Sequence, residues 1–319
     1  MIGALRKLLR HPRWPLVKKW GGALFLLVVV ALLVRYASTI HWPKVKDSVL
    51  ALPRPVLLQA LGFAVLSHFV YSMMDLVGRR YTGHHMGKRQ VMLVSFICYA
   101  FNLNLGSLVG GIGLRYRLYS NHGVRYGNIT RIVTMALITN WIGYILLAGL
   151  VFTLAPMELP PSFRIDSEQL RLVGVALLAV AVVYVLLCAF SRRRSWNVHG
   201  HEVDLPTLRM ALAQFGISCS HWAAMAAVPW ALLHGAVDYP TALSVMLMAA
   251  MAGVMLHVPA GLGVTEAVFV ALLSDKIPTH QILGALLAFR AIFYLLPLLV
   301  GGLLYAKLEM HLRRKEVPA

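Results

Sequence analysis

The sequence predicts an all-α polytopic membrane protein with six full spans and two opposed re-entrant helical hairpins related as an inverted repeat. Three observations predict it. Hydrophobic residues make up 59% of 319 and charged residues 13%, with a mean hydropathy of +0.71, too apolar for a water-soluble core and surface. Apolar runs recur at the length of about 20 residues that a hydrocarbon layer of about 30 Å demands. Lysine plus arginine outnumber aspartate plus glutamate 30 to 12, and they cluster in short stretches between the apolar runs. That distribution orients spans in a bilayer. The single basic face that would engage nucleic acid is missing, so no nucleic-acid partner is expected.

In chain order, residues 1–19 form a basic segment carrying Arg6, Lys7, Arg10, Arg13, Lys18 and Lys19. The apolar stretch from Trp20 to Val34 follows without a small-x-small cleavage site, which favours a signal anchor over a signal peptide. Full spans are expected at 20–37, 55–77, 129–154, 170–190, 209–233 and 281–306, within one transmembrane domain of residues 20–306. Residues 307–319 form a basic tail. Two further apolar segments, 91–114 and 241–274, contain "FNLNLGSLVGGIG" and "HVPAGLGVTEAVFVALL", which set turn-forming residues where a span would be continuous.

Positive charge decides how these two segments are treated. With the N-terminus in the cytoplasm and both segments as hairpins, 22 lysines and arginines fall inside against 7 outside; with both as simple spans the tally is 16 against 13. The hairpin arrangement satisfies the positive-inside rule, and it puts both termini in the cytoplasm. Opposed broken segments of this kind point to a site near the bilayer midplane. At a rise of about 1.5 Å per residue, Asn102 and Asn104 lie about 18 to 21 Å above the cytoplasmic face. Glu266 and Arg290 then lie about 12 and 15 Å below the outer face, so the hairpin tips meet beside an acid and a base.

Backbone groups loosened by "PAGLG" must line protein or a wet cavity, because lipid offers them no hydrogen bonds. The free N–H groups at the start of the second leg, near Val264, form a pocket suited to an anion. A carboxylate in hydrocarbon costs at least about 2.5 to 3.5 kcal/mol, which gives Glu266 a partner or a task. Arg290 is that partner by depth, either as a fixed structural pair or as one that opens for a charged headgroup or proton. Arg115 and Arg117, in "LRYRLYSNHGVRYGNITR", suit bidentate phosphate contact and also serve as an ordinary topogenic signal. The candidate binding set is therefore Glu266, Arg290, Pro259, Gly261, Gly263, His257, Asn102, Asn104, Arg115 and Arg117.

Other polar residues read as structural. His68, His221 and His257 lack metal-ligand spacing and are expected as hydrogen-bonded packing. Asp75, near the cytoplasmic end of its span, is expected to reach water or to pair with Arg79 or Arg80. "NVHGHEVD" is expected as a solvated loop. Cys98, Cys188 and Cys219 lie in apolar segments and offer neither a disulfide framework nor a zinc site. No phosphate-cradling loop or nucleophile elbow occurs, so neither an enzyme nor a cofactor or metal is expected.

The segments "PAGLGVTE" and "LLAFRAIFYLLPLLVGG", with Pro259, Gly261, Gly263, Glu266, Arg290, Pro297, Gly301 and Gly302, carry a resemblance, as do "KRQVMLVSFICYAFNLNL" and "VGGIGLRYRLYS". Along nearly its whole length the chain resembles YbhN-type bacterial inner-membrane proteins, within the superfamily of the transmembrane flippase region of lysylphosphatidylglycerol synthases. The resemblance implies a helical domain that moves a phospholipid headgroup between leaflets, with membrane phospholipids, above all anionic ones, as partners. Two departures stand out. The first hairpin has "GSLVGGIGLR" where many members of the superfamily carry a proline and a glutamate, and the aminoacyl-transferase domain is absent from this sequence. Two other functions fit the same features: secondary transport of a small anion, or a membrane scaffold that recruits a lipid-synthesis enzyme through its basic face.

Overall fold

A computed structural model of the protein describes residues 42–160, 166–191, 195–198, 201–256, 258 and 261–316. The chain divides into two compact units, Met1–Lys44 and Val45–Ala319. The expected span at 20–37 lies outside the described residues.

After α1 (Trp42–Leu50), helix α2 (Arg54–Ser72) opens with a proline in its first turn, where the missing N–H costs nothing. It continues across a break at Met73 into α3 (Met74–Thr82), which stops at Gly83 with φ 65°. Helix α4 (Lys88–Leu105) ends at Gly106 and is followed by a π-helical segment, Ser107–Gly113, and by α5 (Leu114–Ser120). Then come α6 (Tyr126–Leu154) and α7 (Ser167–Phe190), the latter capped by the Asp166 carboxylate, which accepts from the Gln169 backbone N–H at 2.7 Å. Helix α8 (Leu208–Leu232) begins at a Thr207 cap. The chain closes with α9 (Tyr239–Met255), α10 (Val264–Leu273), α11 (Thr279–Arg290), a π-helical turn (Ala291–Leu295) and α12 (Leu296–Glu316).

Four stretches among the described residues are long and apolar enough to cross a membrane: Arg54–Thr82, Tyr126–Leu154, Ser167–Phe190 and Thr279–Met310. They coincide with four of the expected spans. The expected span at 209–233 is α8, which has the length but not the apolarity, because Gln214, Ser218 and His221 line it. These residues are buried, and α8 packs against α2, α6, α9 and α11. Its approach to α6 requires a glycine, since a Cβ on Gly143 would lie 2.2 Å from Ser218 Cβ. By contrast α7 turns Val173, Val180, Val182, Val183 and Leu186 outward, an apolar surface suited to lipid rather than water.

The expected solvated loop at "NVHGHEVD" is instead part of a two-stranded antiparallel hairpin, β1 (Ser195–Val198) with β2 (His201–Asp204), in which Ser195 opposes Asp204 and Val198 opposes His201.

Both interrupted segments double back. Gly110, in the first π-helical segment, lies against the end of α4, where a Cβ would meet the Asn102 nitrogen and the Phe101 carbonyl carbon at 2.3 Å. Only glycine allows the returning strand of backbone to come this close. In the second segment α9 and α10 pack together, and Gly253 approaches Gly261 across the turn, with 3.7 Å from a Gly253 Cβ to the Gly261 Cα.

Candidate functional site

Glu266 stands in the first turn of α10, and Arg290 ends α11 immediately before the π-helical turn. Gly263 reverses the chain into α10 with φ 75° and Gly261 takes φ 57°, both in the left-handed region that glycine occupies without strain. This turn aims the Gly261 carbonyl and the Glu266 carboxylate at one point. Arg290 fills it: Nε donates to Glu266 Oε1 at 2.5 Å, while Nη2 donates to Glu266 Oε2 at 3.1 Å and to the Gly261 carbonyl at 3.0 Å. The guanidinium also lies 5.1 Å from the Tyr294 ring centroid. The fork of a bidentate arginine matches a carboxylate here and would match a phosphate equally well. The two side chains keep 13% and 18% of their surface exposed.

The first interrupted segment reaches the last helix beside this site. Asn104 donates to the Ala100 carbonyl at 2.8 Å and to the Tyr294 carbonyl at 3.2 Å, so it ties α4 to the π-helical turn beside Arg290. A π-helical turn carries a non-standard hydrogen-bond pattern, and such turns recur at functional sites. Asn102, two residues before Asn104 and on the other side of α4, lies under the returning segment, where a Cβ on Gly111 would lie 2.8 Å from its Oδ1. The structure thus brings Glu266, Arg290, Gly261 and Gly263 together, with Asn104 bonded to the Tyr294 carbonyl one turn past Arg290. His257 and Pro259 lie outside the described residues.

Arg115 and Arg117 belong elsewhere. Arg115 is 4% exposed and donates through Nε and Nη2 to the Asp75 carboxylate at 3.1 and 3.2 Å, and through Nη1 to the Gly111 carbonyl at 2.8 Å. Tyr119 donates to the same carboxylate at 2.9 Å. The expectation for Asp75 is therefore corrected: it neither reaches water nor pairs with Arg79 or Arg80, because the break at Met73 turns it inward to 0% exposure. For the same reason Arg115 is no surface collector of headgroups. Arg117 does lie on the surface, paired with Glu309 at 2.8 Å. In the loop after α3, His84 stacks edge-on to Tyr119 at 5.9 Å, and burial, with Arg79 nearby, holds its pKa below the usual histidine value.

Sequence reasoning missed an aromatic cluster beside α8. His221 holds Ser67 Oγ at 2.9 Å and Tyr99 Oη at 3.3 Å on its two ring nitrogens, which is hydrogen-bonded packing as expected. Tyr71 stacks on Tyr99, and His68 packs 4.6 Å from the Phe293 ring. Tyrosines at the bottom of apolar runs offered no signal of this, since interfacial tyrosine is ordinary in membrane proteins.

Comparison with known proteins agrees with this architecture. The model of the lysylphosphatidylglycerol synthase transmembrane region matches residues 20–301. The chain is 46% identical to the inner membrane protein YbhN of Escherichia coli over 305 residues, covering 95% of this chain and 96% of that one. An uncharacterised protein of Synechocystis is 27% identical over 302 residues, with 93% and 92% covered. A phosphatidylglycerol lysyltransferase of Staphylococcus aureus is 25% identical over 303 residues, which are 89% of this chain but only 33% of that enzyme. A polytopic helical chain with a paired acid and base on a broken helix, matched over most of its length, belongs to the family of the lysylphosphatidylglycerol synthase transmembrane region.

Proposed function

We propose that the protein is a lipid translocase, which passes a phospholipid headgroup between the leaflets of the bacterial inner membrane through the Glu266–Arg290 site without nucleotide hydrolysis. One observation carries this reading: the ion pair is formed but not sealed. Its side chains retain 13% and 18% exposure, and one of its hydrogen bonds goes to a loop carbonyl in a helix break rather than to a second fixed carboxylate. Because each side chain stays partly exposed, parting the two charges costs less than it would in a fully buried pair. A pair that exchanges partners with a phosphate uses the same charges for binding.

In this reading the two doubled-back segments are re-entrant hairpins entering from opposite faces, with both chain termini cytoplasmic. A headgroup phosphate displaces Glu266 from the Arg290 fork, and the N–H groups at the start of α10 add to its binding. The released carboxylate then answers a headgroup amine or takes up a proton. No bond of the lipid is made or broken, so the protein acts as a carrier and not as an enzyme. The name of the Staphylococcus relative supports phosphatidylglycerol as the first lipid to try.

The test is exchange of fluorescent phosphatidylglycerol in liposomes carrying the purified protein, read by the fraction that membrane-impermeant dithionite bleaches. Wild type is expected to expose the inner-leaflet probe over minutes, and Glu266→Gln and Arg290→Gln to slow that phase to the rate of protein-free liposomes. Wild type indistinguishable from protein-free liposomes would overturn the proposal.

A further inference from the structure

The Arg290 guanidinium has one contact that uses none of its N–H groups. Its Cζ stands over the Tyr294 ring, 5.1 Å from the centroid. The ring quadrupole draws a cation to the aromatic face, so this attraction leaves the donors of the fork free. The contacts to Glu266 and to the Gly261 carbonyl do occupy donors, on Nε and Nη2. A phosphate that takes the place of Glu266 therefore competes with the carboxylate but not with the ring.

The ring is fixed where the guanidinium needs it. Tyr294 follows Arg290 by four residues, within the π-helical turn, and is buried. It packs edge-on to Phe289, with centroids 5.6 Å apart and planes at 83°, and its centroid lies 5.8 Å from that of Phe293. Those two rings are themselves buried, so a close-packed wall keeps Tyr294 in place when a ligand comes or goes. The backbone behind the ring is held from a second helix. Asn104, on α4, donates to the Tyr294 carbonyl at 3.2 Å and to the Ala100 carbonyl at 2.8 Å. Both partners can only accept, which assigns the amide nitrogen to them and makes the link one that an apolar side chain cannot replace.

We propose that Tyr294 is a positioning residue for the Arg290 fork: its ring keeps the guanidinium in the site while Glu266 gives way to a phosphate, and Asn104 pins the turn that sets the ring. This rests on the translocase reading and names what holds the arginine during its change of partner. Without the ring, a guanidinium released by Glu266 is free to turn toward the partly exposed edge of the site. A phosphate must then order a long side chain before it can be bound, at a cost in conformational entropy.

The experiment titrates the detergent-purified full-length protein with dihexanoyl phosphatidylglycerol, a soluble short-chain lipid, and takes the apparent Kd from the rise in melting temperature. Tyr294→Leu is expected to weaken binding about fivefold, the equivalent of about 1 kcal/mol, while Tyr294→Phe, which keeps the ring face, stays within about twofold of wild type. Asn104→Leu, which leaves the packing around the ring in place, should weaken binding by about threefold and add nothing to Tyr294→Leu, because it acts through the ring. A lower melting temperature of lipid-free Tyr294→Leu with an unchanged Kd would make the ring packing alone and overturn the proposal. Tyr294→Phe as weak as Tyr294→Leu would do the same, since the hydroxyl would then be the part that matters. If Tyr294→Leu does not fold, Asn104→Leu decides: a wild-type Kd there overturns the proposal. Lipid exchange in liposomes separates the two proposals. The expected Kd changes without exchange by wild type would remove translocation and keep the positioning role, whereas exchange with a wild-type Kd in Tyr294→Leu would remove only this inference. No stabilisation of wild type by the lipid would overturn both.

Discussion

Asp75 with Arg115 and Glu266 with Arg290 use the same two functional groups in opposite circumstances. The first pair has side chains 0% and 5% exposed, and a tyrosine hydroxyl and a backbone carbonyl complete its hydrogen bonds. The second keeps 18% and 13% exposure and leans on a carbonyl in a helix break. Burial makes the first pair a lock: its charges have nowhere else to go, so it fixes where the segment after α4 packs. On the proposed reading, partial exposure lets the second pair trade partners. The difference teaches that two like ion pairs are told apart by how far their side chains stay exposed, not by their charge.

Four substitutions break or sharpen that contrast, from the largest expected effect to the smallest. Asp75→Asn leaves a buried guanidinium unpaired and should cost about 3 to 5 kcal/mol of stability, measured by thermal unfolding of the purified protein. A melting temperature equal to wild type would mean that the first pair is no lock. Gly110→Val tests the same hairpin by overpacking, because its Cβ would collide with the Asn102 backbone, and should cost about 1 to 3 kcal/mol or more. Glu266→Gln keeps the size and one hydrogen bond of the second pair, so it should cost about 1 to 3 kcal/mol, clearly less than Asp75→Asn, while lipid exchange is lost. If the two substitutions destabilise equally, the distinction between the pairs collapses. Arg117→Gln removes a surface pair whose arginine is 53% exposed, and should change stability by no more than about 1 kcal/mol.

Much of the fold was legible because its signals are local. Glycines within an apolar run mark a break wherever the chain lies, and both breaks fall inside the expected segments. Glu266 and Arg290 were legible as a pair because each was the rare charge in its run and a fixed rise per residue converts position into depth. The Asp75–Arg115 contact was not. It depends on a helix break at Met73, a residue with no breaker character, and on the return path of a hairpin 40 residues away in sequence. The polar contents of α8 were equally silent, since hydrogen bonds from Gln214 and His221 run to residues far along the chain. The strands after α7 were missed because charged residues and histidines drew attention to solvation instead of to two short runs around a glycine.

The π-helical turn at Ala291–Leu295 gives the last helix two phases. In an uninterrupted α-helix residues seven apart share a face, which would put Tyr294 on the side of Leu287. Leu287 is 49% exposed, yet Tyr294 is only 7% exposed and Leu295 takes the outward position at 54%. The extra residue therefore rotates everything after it by about 100° relative to everything before it. One continuous rod can then offer an arginine to the interior and a greasy wall to the outside. Deleting a single residue from this turn would merge the two phases and force the rod to choose between those surfaces.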